Sequence, residues 1–338
     1  MNTSGGKVQA AIVGLGWWGR KIAELVQTRS DRICFVRAVE PNAETARDFV
    51  DKMGIHLSKS YEEALADSGI EAVVLATPHK LHEAQIEAAA AAGKHIFCEK
   101  PLALTKSGAE KAVRLCATRK LVLGVGHERR YEPPIADLIG QAVEGRLGRL
   151  LQVEANFSHD RFLSLDPSNW RLSPDQAPAA GMTATGIHLT DLAVKLLGKP
   201  ADVRVICGSL ASQFPQGDTM SAHIRFAGGG SAYVSAMLAT PFFARFAVFG
   251  TEGWIDIRDK AHVEKPEGWI VTSASTGTRI EVREVGPAEP VLDNLNAFAA
   301  AVRGEADYPI SGQDMINNIA LLEAITRAAK TGDVVTVD

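Results

Sequence analysis

The sequence predicts an α/β protein with a doubly wound parallel sheet in its N-terminal part and a large, mostly antiparallel open sheet in a C-terminal α+β part. Short apolar runs alternate with helical patterns as far as Gly126, which is typical of a parallel sheet with helices on both faces. A glycine-rich turn directly follows the first apolar run. From Val203 to Val282, strand-like runs follow one another without intervening helices, and this indicates an antiparallel sheet.

Length and composition limit the class of protein. A chain of 338 residues favours two domains, which we predict at 1–126 and 127–338, with the final helix able to pack back on the first. The net charge of −4 gives no reason to expect nucleic acid or an anionic membrane as partner. We find neither an apolar run of transmembrane length nor an N-terminal secretory signal. Because the four cysteines are scattered, we expect reduced thiols in a cytoplasmic protein and no metal site.

The glycine-rich turn has the spacing of a dinucleotide-binding fingerprint. It lies between an apolar strand over 8–13 and a helix with Ile22, Leu25 and Val26 on one face, which is the Rossmann setting that this motif requires. The first glycine makes the turn, the second lets the backbone approach a pyrophosphate, and the third lets the helix pack on the strand. The predicted cofactor-binding residues of this turn are Gly14, Leu15, Gly16, Trp17, Trp18 and Gly19.

The ends of later strands add residues to this predicted cofactor site. Glu40 ends the second strand, about twenty residues after the last glycine, where an acid binds the adenosine ribose of NAD and repels the 2′-phosphate of NADP. A surface glutamate before a turn is the weaker alternative. Another strand ends in Ala76, Thr77 and Pro78, and His82 follows in the next helix. His79 or His82 can contact the cofactor, although a capping or surface histidine fits the pattern equally well.

The apolar run Ile96-Phe97-Cys98 ends abruptly in Glu99-Lys100-Pro101. Ligands of open α/β sheets bind beyond the carboxyl ends of the strands. Glu99 and Lys100 are therefore predicted at the mouth of the cofactor site, in contact with the cofactor. A lysine held partly out of water has a lowered pKa and can exchange a proton with a substrate hydroxyl. A solvated loop lysine is the alternative, and these few residues alone would favour it.

Several motifs together resemble the glucose–fructose oxidoreductase, inositol 2-dehydrogenase and rhizopine catabolism (Gfo/Idh/MocA) family. They comprise the glycine-rich fingerprint, the Glu-Lys-Pro run, the Trp170-Arg171 pair and the segments 126–131, 185–191 and 249–253. The resemblance therefore extends over nearly the whole chain. The resemblance implies NAD(P)-dependent oxidation or reduction of sugars, polyols or related cyclic alcohols. It also implies a second domain whose open sheet serves in dimerisation.

In the second half, a helix over 134–144 and a strand over 150–157 precede a long irregular segment over 159–180. Loops of this length are usually functional or disordered. The embedded Trp170 and Arg171 favour a substrate loop, so both are predicted to bind substrate. Gly228-Gly229-Gly230 predicts a hairpin turn, and helices over 292–302 and 311–330 close the chain. Arg129 and Arg130 are further candidates, because a guanidinium binds either a carboxylate or hydroxyls. Arginine-rich loops are as often structural, so a sugar acid is only a minor alternative as substrate.

The chain departs from the family at one position of the proposed acid–base set. Many relatives have an aspartate four residues before the helix histidine, but here Ala184 precedes His188. Thr185 can hydrogen-bond a hydroxyl but cannot take a charge. The predicted catalytic residues are therefore Lys100 and His188, with Thr185 and His188 also in contact with substrate. We favour His188 as proton acceptor and Lys100 as the group that orients the alcohol, with lysine as sole base the close alternative. No inositol specificity is transferred.

The sequence thus predicts an NAD-dependent dehydrogenase for a secondary hydroxyl of a sugar, polyol or related cyclic alcohol. Two alternatives stay open: a sugar- and dinucleotide-binding regulator without chemistry, and sugar cleavage in which NAD is reduced and reoxidised in each cycle. An exposed sheet face makes a homodimer or homotetramer the expected assembly.

Overall fold

The computed structural model describes residues 6–58, 60–263 and 265–338. Two compact units are present, Met1–His127 with Val291–Ile316, and Glu128–Pro290 with Asn317–Asp338. The first segment of the first unit thus ends one residue beyond the predicted boundary at 126. The same unit also includes the later segment Val291–Ile316. Among the described residues, none of the helices combines the length and the apolar character needed to cross a bilayer.

The first unit contains a six-stranded sheet in the order β3-β2-β1-β4-β5-β6, in which every neighbouring pair is parallel. Its strands are β1 Val8–Val13, β2 Ile33–Val39, β3 His56–Ser58, β4 Ala72–Leu75, β5 His95–Cys98 and β6 Leu123–Val125. Its helices are α1 Trp17–Arg29, α2 Ala43–Met53, α3 Tyr61–Ala66, α4 His82–Ala91 and α5 Lys106–Thr118. The doubly wound parallel sheet expected from the sequence is confirmed. Strand β3 was not predicted, and β6 is shorter than the run over 121–126.

Burial explains why this unit could be predicted from apolar runs. All four residues of β4 are buried, because helices cover both faces of a parallel sheet. Helix α1 buries Ile22, Leu25 and Val26 on the same core, as its helical spacing indicated. Helix α3 is capped by Ser60, whose hydroxyl accepts a hydrogen bond from the Glu63 backbone N–H.

Helix α8, Pro290–Val302, contributes to the core of the first unit. Its residues Leu292, Leu295 and Phe298 are buried there, and the ring centroids of Phe298 and Phe97 lie 5.6 Å apart. Helix α9, Gly312–Thr331, is divided between the two units at Ile316. Ser311 caps its start, because the Ser311 hydroxyl accepts a hydrogen bond from the Asp314 backbone N–H.

The second unit contains a nine-stranded sheet in the order β14-β13-β12-β11-β7-β10-β9-β8-β15. All neighbours are antiparallel except β7 and β10, so the mostly antiparallel sheet is confirmed. Its strands are β7 Leu150–Ser158, β8 Pro200–Gly208, β9 Thr219–Phe226, β10 Ser231–Met237, β11 Phe243–Gly250, β12 Gly253–Asp259, β13 Trp269–Ser275, β14 Glu281–Val285 and β15 Val335–Thr336. Strand β15 was not predicted.

One face of this sheet is buried and the other is exposed. In β9 the buried residues Met220, Ala222 and Ile224 alternate with exposed Ser221 and His223. Helix α7, Ile187–Leu197, packs on β7 and β10, and α6, Pro133–Val143, packs on β12. A single π-helical turn, Met182–Gly186, precedes α7, so the helical stretch begins before His188.

Candidate active site

The glycine-rich turn connects β1 to α1 in the first unit, and its geometry requires glycine at two positions. Gly14 has φ +91°, and a Cβ on it would lie 2.9 Å from the Ala76 carbonyl oxygen. A Cβ on Gly19 would lie 1.9 Å from the Gly14 oxygen, so α1 can approach β1 only with glycine there. A Cβ on Gly16, by contrast, would meet nothing within 4 Å. The turn therefore leaves open space at Gly16, and this fits a pyrophosphate at the N-terminus of α1.

Glu40 follows β2 and lies against this turn. Its Oε2 accepts a hydrogen bond of 2.8 Å from the Leu15 backbone N–H, and Oε1 accepts from the Asn42 N–H at 3.2 Å. The carboxylate is thus fixed beside the dinucleotide fingerprint. In the same turn, Trp17 is 56% exposed, and its ring centroid lies 5.3 Å from that of the half-buried Trp18.

The segment after β4 adjoins the same turn. The Ala76 N–H donates to the Val13 carbonyl, and the Thr77 methyl lies 3.1 Å from the Cβ position of Gly14. The Thr77 hydroxyl itself donates to Gln85 Oε1 at 2.5 Å. The groups of this strand end that lie against the turn are thus the Ala76 backbone and the Thr77 methyl.

His82 is fully buried between two strand ends of the first unit. Its Nδ1 lies 2.8 Å from the Pro101 carbonyl oxygen and its Nε2 lies 3.0 Å from the Thr77 carbonyl oxygen. Burial lowers the pKa of this imidazole, while the two backbone contacts act in the opposite direction. His82 thus connects the segment after β4 to the segment after β5, and both ring nitrogens face backbone oxygens.

Glu99 and Lys100 directly follow β5, as the sequence predicted. Glu99 is buried, and burial raises the pKa of its carboxyl, while the Trp18 indole and the Lys100 charge oppose this rise. A Cβ on Gly126 would lie 2.6 Å from Glu99 Oε2, so the glycine after β6 makes room for the carboxyl. Lys100 is half-buried, and its peptide bond to Pro101 is cis.

His188 occupies the second position of α7 in the second unit and is almost completely buried. Its Nδ1 lies 3.5 Å from Glu128 Oε2, with 4% of the histidine side chain and 6% of the glutamate side chain exposed. The ring also packs near Phe157, with centroids 6.4 Å apart. A carboxylate therefore does accompany the histidine, although it comes from a different part of the chain than position 184.

Arg129 and Arg130 are engaged inside the second unit. The Arg129 guanidinium lies 2.8 Å from Asp259 Oδ1 and 3.2 Å from Glu132 Oε2. Arg130 forms a two-pronged ion pair with Asp191, with N–O distances of 2.7 and 2.8 Å. All five of these side chains are buried or nearly so. Both arginines thus face buried carboxylates inside the second unit, and their contact with substrate stays a prediction.

The Trp170-Arg171 segment forms a short 3₁₀ turn, Trp170–Leu172. The Arg171 guanidinium stacks over the Trp170 ring at 4.3 Å, and, within the part of the chain that the structure describes, no carboxylate forms an ion pair with it. Thr185 is buried, and its hydroxyl lies 2.8 Å from the Phe157 carbonyl oxygen and 3.1 Å from that of Gly181.

Sequence reasoning missed Glu128. It lies in the 126–131 segment that supports the family resemblance, but its distance from His188 along the chain leaves no spacing that would pair them. Rings of Phe157, His159, Phe242 and His262 form an aromatic cluster on the same side of the second unit. That cluster was not predicted either.

Comparisons with known proteins agree with this arrangement. Residues 8–127 match the model of an oxidoreductase family with an NAD-binding Rossmann fold, GFO_IDH_MocA. Residues 139–256 match the GFO/IDH/MocA C-terminal domain. The chain is 30% identical over 308 residues to a 1,5-anhydro-D-fructose reductase from Ensifer adhaerens, covering 90% of this chain and 91% of that protein.

Two further similarities cover almost the full length of the chain. A D-xylose 1-dehydrogenase [NADP(+)] from Haloarcula marismortui is 25% identical over 342 residues, with 98% of this chain and 93% of that protein covered. The structure of a levoglucosan dehydrogenase in complex with NADH has a similar fold, with a TM-score of 0.85, 23% identity, and 98% and 99% of the two chains covered. The Rossmann unit, its fingerprint turn and these matches together show that the chain belongs to the Gfo/Idh/MocA family of oxidoreductases.

Proposed function

We propose that this chain is an NAD-dependent dehydrogenase that oxidises a secondary hydroxyl of a sugar, polyol or related cyclic alcohol. The observation that carries this proposal is the edge of the parallel sheet in the first unit. There, the fingerprint turn, the Glu40 carboxylate and Lys100 follow β1, β2 and β5, which are parallel and so end at the same edge of the sheet. Relatives named as a sugar reductase and a sugar dehydrogenase support a sugar-like substrate.

NAD is proposed over NADP because of Glu40. When bound, the nicotinamide provides the acceptor for the hydride of the substrate carbinol carbon. The residues Gly14 to Gly19 would hold the pyrophosphate, and Glu40 would receive the ribose hydroxyls. A carboxylate at that position repels a 2′-phosphate. The xylose dehydrogenase is named for NADP(+), so coenzyme choice differs among relatives and needs its own test.

Proton transfer is assigned to Lys100 and His188. His188 takes the substrate proton, and Lys100 orients and polarises the hydroxyl. Trp170, Arg171 and Thr185 are proposed to contact the substrate. The Arg171 guanidinium stacks on Trp170 and could bind hydroxyls or a carboxylate without first breaking an ion pair. Arg129 and Arg130 stay predicted contacts as well, although buried carboxylates face both of them.

The test is a panel of sugars, polyols and sugar acids, assayed with NAD for absorbance at the reduced-nicotinamide band. We expect one class of ring alcohols to reduce NAD with saturation kinetics. Substrate cleavage without net absorbance change would instead indicate a redox-assisted cleavage. Binding of sugars to the NAD-loaded protein without any turnover would indicate a regulator and contradict the proposal.

A further inference from the structure

Glu128 and His188 form a buried carboxylate–imidazole pair inside the second unit. Glu128 begins a short 3₁₀ turn, Glu128–Tyr131, and His188 lies at the start of α7. The distance of 3.5 Å from Oε2 to Nδ1 is within ion-pair range and slightly beyond a short hydrogen bond. Such contacts commonly tighten when substrate binds.

The charged groups around this pair have other partners. Arg129 faces Glu128 but is held by Asp259 and Glu132, and Arg130 is held by Asp191 one turn further along α7. Burial raises the pKa of the Glu132 carboxyl well above its usual range, with Arg129 opposing and Asp259 and Glu128 adding to the rise. On the remaining side, Phe157 lies between His188 and the imidazoles of His159 and His262.

A carboxylate at Nδ1 has two effects on a neutral imidazole. It favours the tautomer with the proton on Nδ1, which leaves the Nε2 lone pair to accept a proton. It also stabilises the imidazolium that forms once that proton is taken, which is the part the buried aspartate plays in serine proteases. Ala184 has no group that could act in this way.

Building on the proposed function, we propose that Glu128 is the positioning residue of His188 and takes the place that an aspartate at position 184 has in many relatives. Its carboxylate holds Nδ1, so that Nε2 is directed to the substrate hydroxyl. Glu128 itself does not touch the reacting atoms in this proposal.

The test uses the full-length protein and needs no substrate. Nitrogen-15 NMR of the histidine side chains, with the His188 signals assigned by their loss in His188→Ala, reports the tautomer and the titration of this ring. We expect the Nδ1–H tautomer in the wild type. In Glu128→Gln, we expect His188 to titrate at a lower pH, because a nearby negative charge that favours the imidazolium is gone.

Kinetics with the fastest substrate of the panel give the second readout. Glu128→Gln should lower kcat by roughly tenfold or more and shift the acid limb of the kcat/KM profile to lower pH. Glu128→Asp should recover part of the loss. The control Glu144→Gln removes a carboxylate that is 55% exposed and should match the wild type.

A double-mutant cycle separates this inference from the proposed function. If Glu128 acts through His188, Glu128→Gln adds little in a His188→Ala background. Unchanged titration, tautomer and kcat in Glu128→Gln would overturn the inference while leaving the dehydrogenase proposal intact. Full activity of His188→Ala would instead refute the proton acceptor. If Glu128→Gln does not fold, the wild-type nitrogen-15 spectrum decides, because an Nε2–H tautomer of His188 would contradict a carboxylate that accepts at Nδ1.

Discussion

At the scale of single residues, the two proposed proton-handling groups lie at the ends of elements. Lys100 is half-buried directly after β5. His188 is fixed by its position at the start of α7, with Glu128 beside Nδ1.

The first prediction concerns the two proton-handling groups. Lys100→Ala and His188→Ala should each lower kcat by about a hundred- to ten-thousandfold, the usual effect of losing a positioned acid or base. NAD binding, measured by fluorescence titration, should persist in both variants. Lys80→Ala, which removes an exposed lysine of the first unit, serves as control.

The pattern of losses separates the two possible bases. Near-normal kcat in His188→Ala with an inactive Lys100→Ala would make the lysine the base and the histidine a binding residue. Normal turnover in both variants would refute the site assignment.

The second prediction concerns coenzyme choice. Glu40 should disfavour NADP by on the order of a few kcal/mol, or about a hundredfold in kcat/KM, because its carboxylate would face the 2′-phosphate as a like charge. Glu40→Gln should narrow this ratio, whereas Glu44→Gln on the exposed face of α2 should leave it unchanged. Equal efficiency of the wild type with both coenzymes would remove Glu40 from this role.

At the scale of elements, the β1–α1 turn combines a packing requirement with a binding requirement, and different glycines meet them. Gly19 allows α1 to touch the backbone of Gly14, whereas the Cβ position of Gly16 faces open space. The two functions of the turn should therefore respond separately to the same small change.

This difference gives a matched pair of variants. Gly19→Ala should lower the free energy of unfolding by about 1–3 kcal/mol or more, because the added methyl would overlap backbone. Gly16→Ala should change it by less than about 0.5 kcal/mol yet weaken NAD binding at least tenfold, since the methyl occupies the pyrophosphate position. Urea unfolding without coenzyme and NAD titration measure the two effects. Wild-type NAD affinity in Gly16→Ala would contradict the proposed cradle.

At the scale of the whole molecule, the first unit consists of two segments of the chain. The second of them, Val291–Ile316, follows Glu128–Pro290 of the second unit. Phe298 of α8 is fully buried against Phe97. We predict that Phe298→Ala lowers the free energy of unfolding by about 3–5 kcal/mol. Leu210→Ala, at a side chain 82% exposed in the second unit, should have little effect. Unfolding midpoints in urea, followed with and without NAD, measure this; equal stability of the two variants would argue against α8 as part of that core.

Assembly is the last prediction. The exposed face of the nine-stranded sheet displays Tyr233, Ile206 and Val282, at 48, 73 and 66% exposure, and exposed apolar groups on an open sheet favour association. Light scattering at micromolar concentration should give a mass of two or four chains of 36.1 kDa each. A mass of one chain would contradict the expected homodimer or homotetramer.

The sequence by itself determined the features that follow from local order along the chain. Alternating apolar runs and helices force a parallel sheet, and parallel strands bring their carboxyl ends to one edge. The fingerprint turn, Glu40 and Lys100 could therefore be assigned to one region of the first unit before any coordinates. The continuous run of strands after Val203 likewise predicted the antiparallel sheet.

Only the tertiary structure decided which distant side chains meet. Arg130 and Asp191, Arg129 and Asp259, and His188 and Glu128 are pairs far apart in sequence, and no spacing rule relates their members. Burial makes each of these charges require a partner, but it does not say which one. For that reason the sequence offered Arg129 and Arg130 to a substrate and left His188 without a carboxylate, while the fold gives all three a partner inside the second unit.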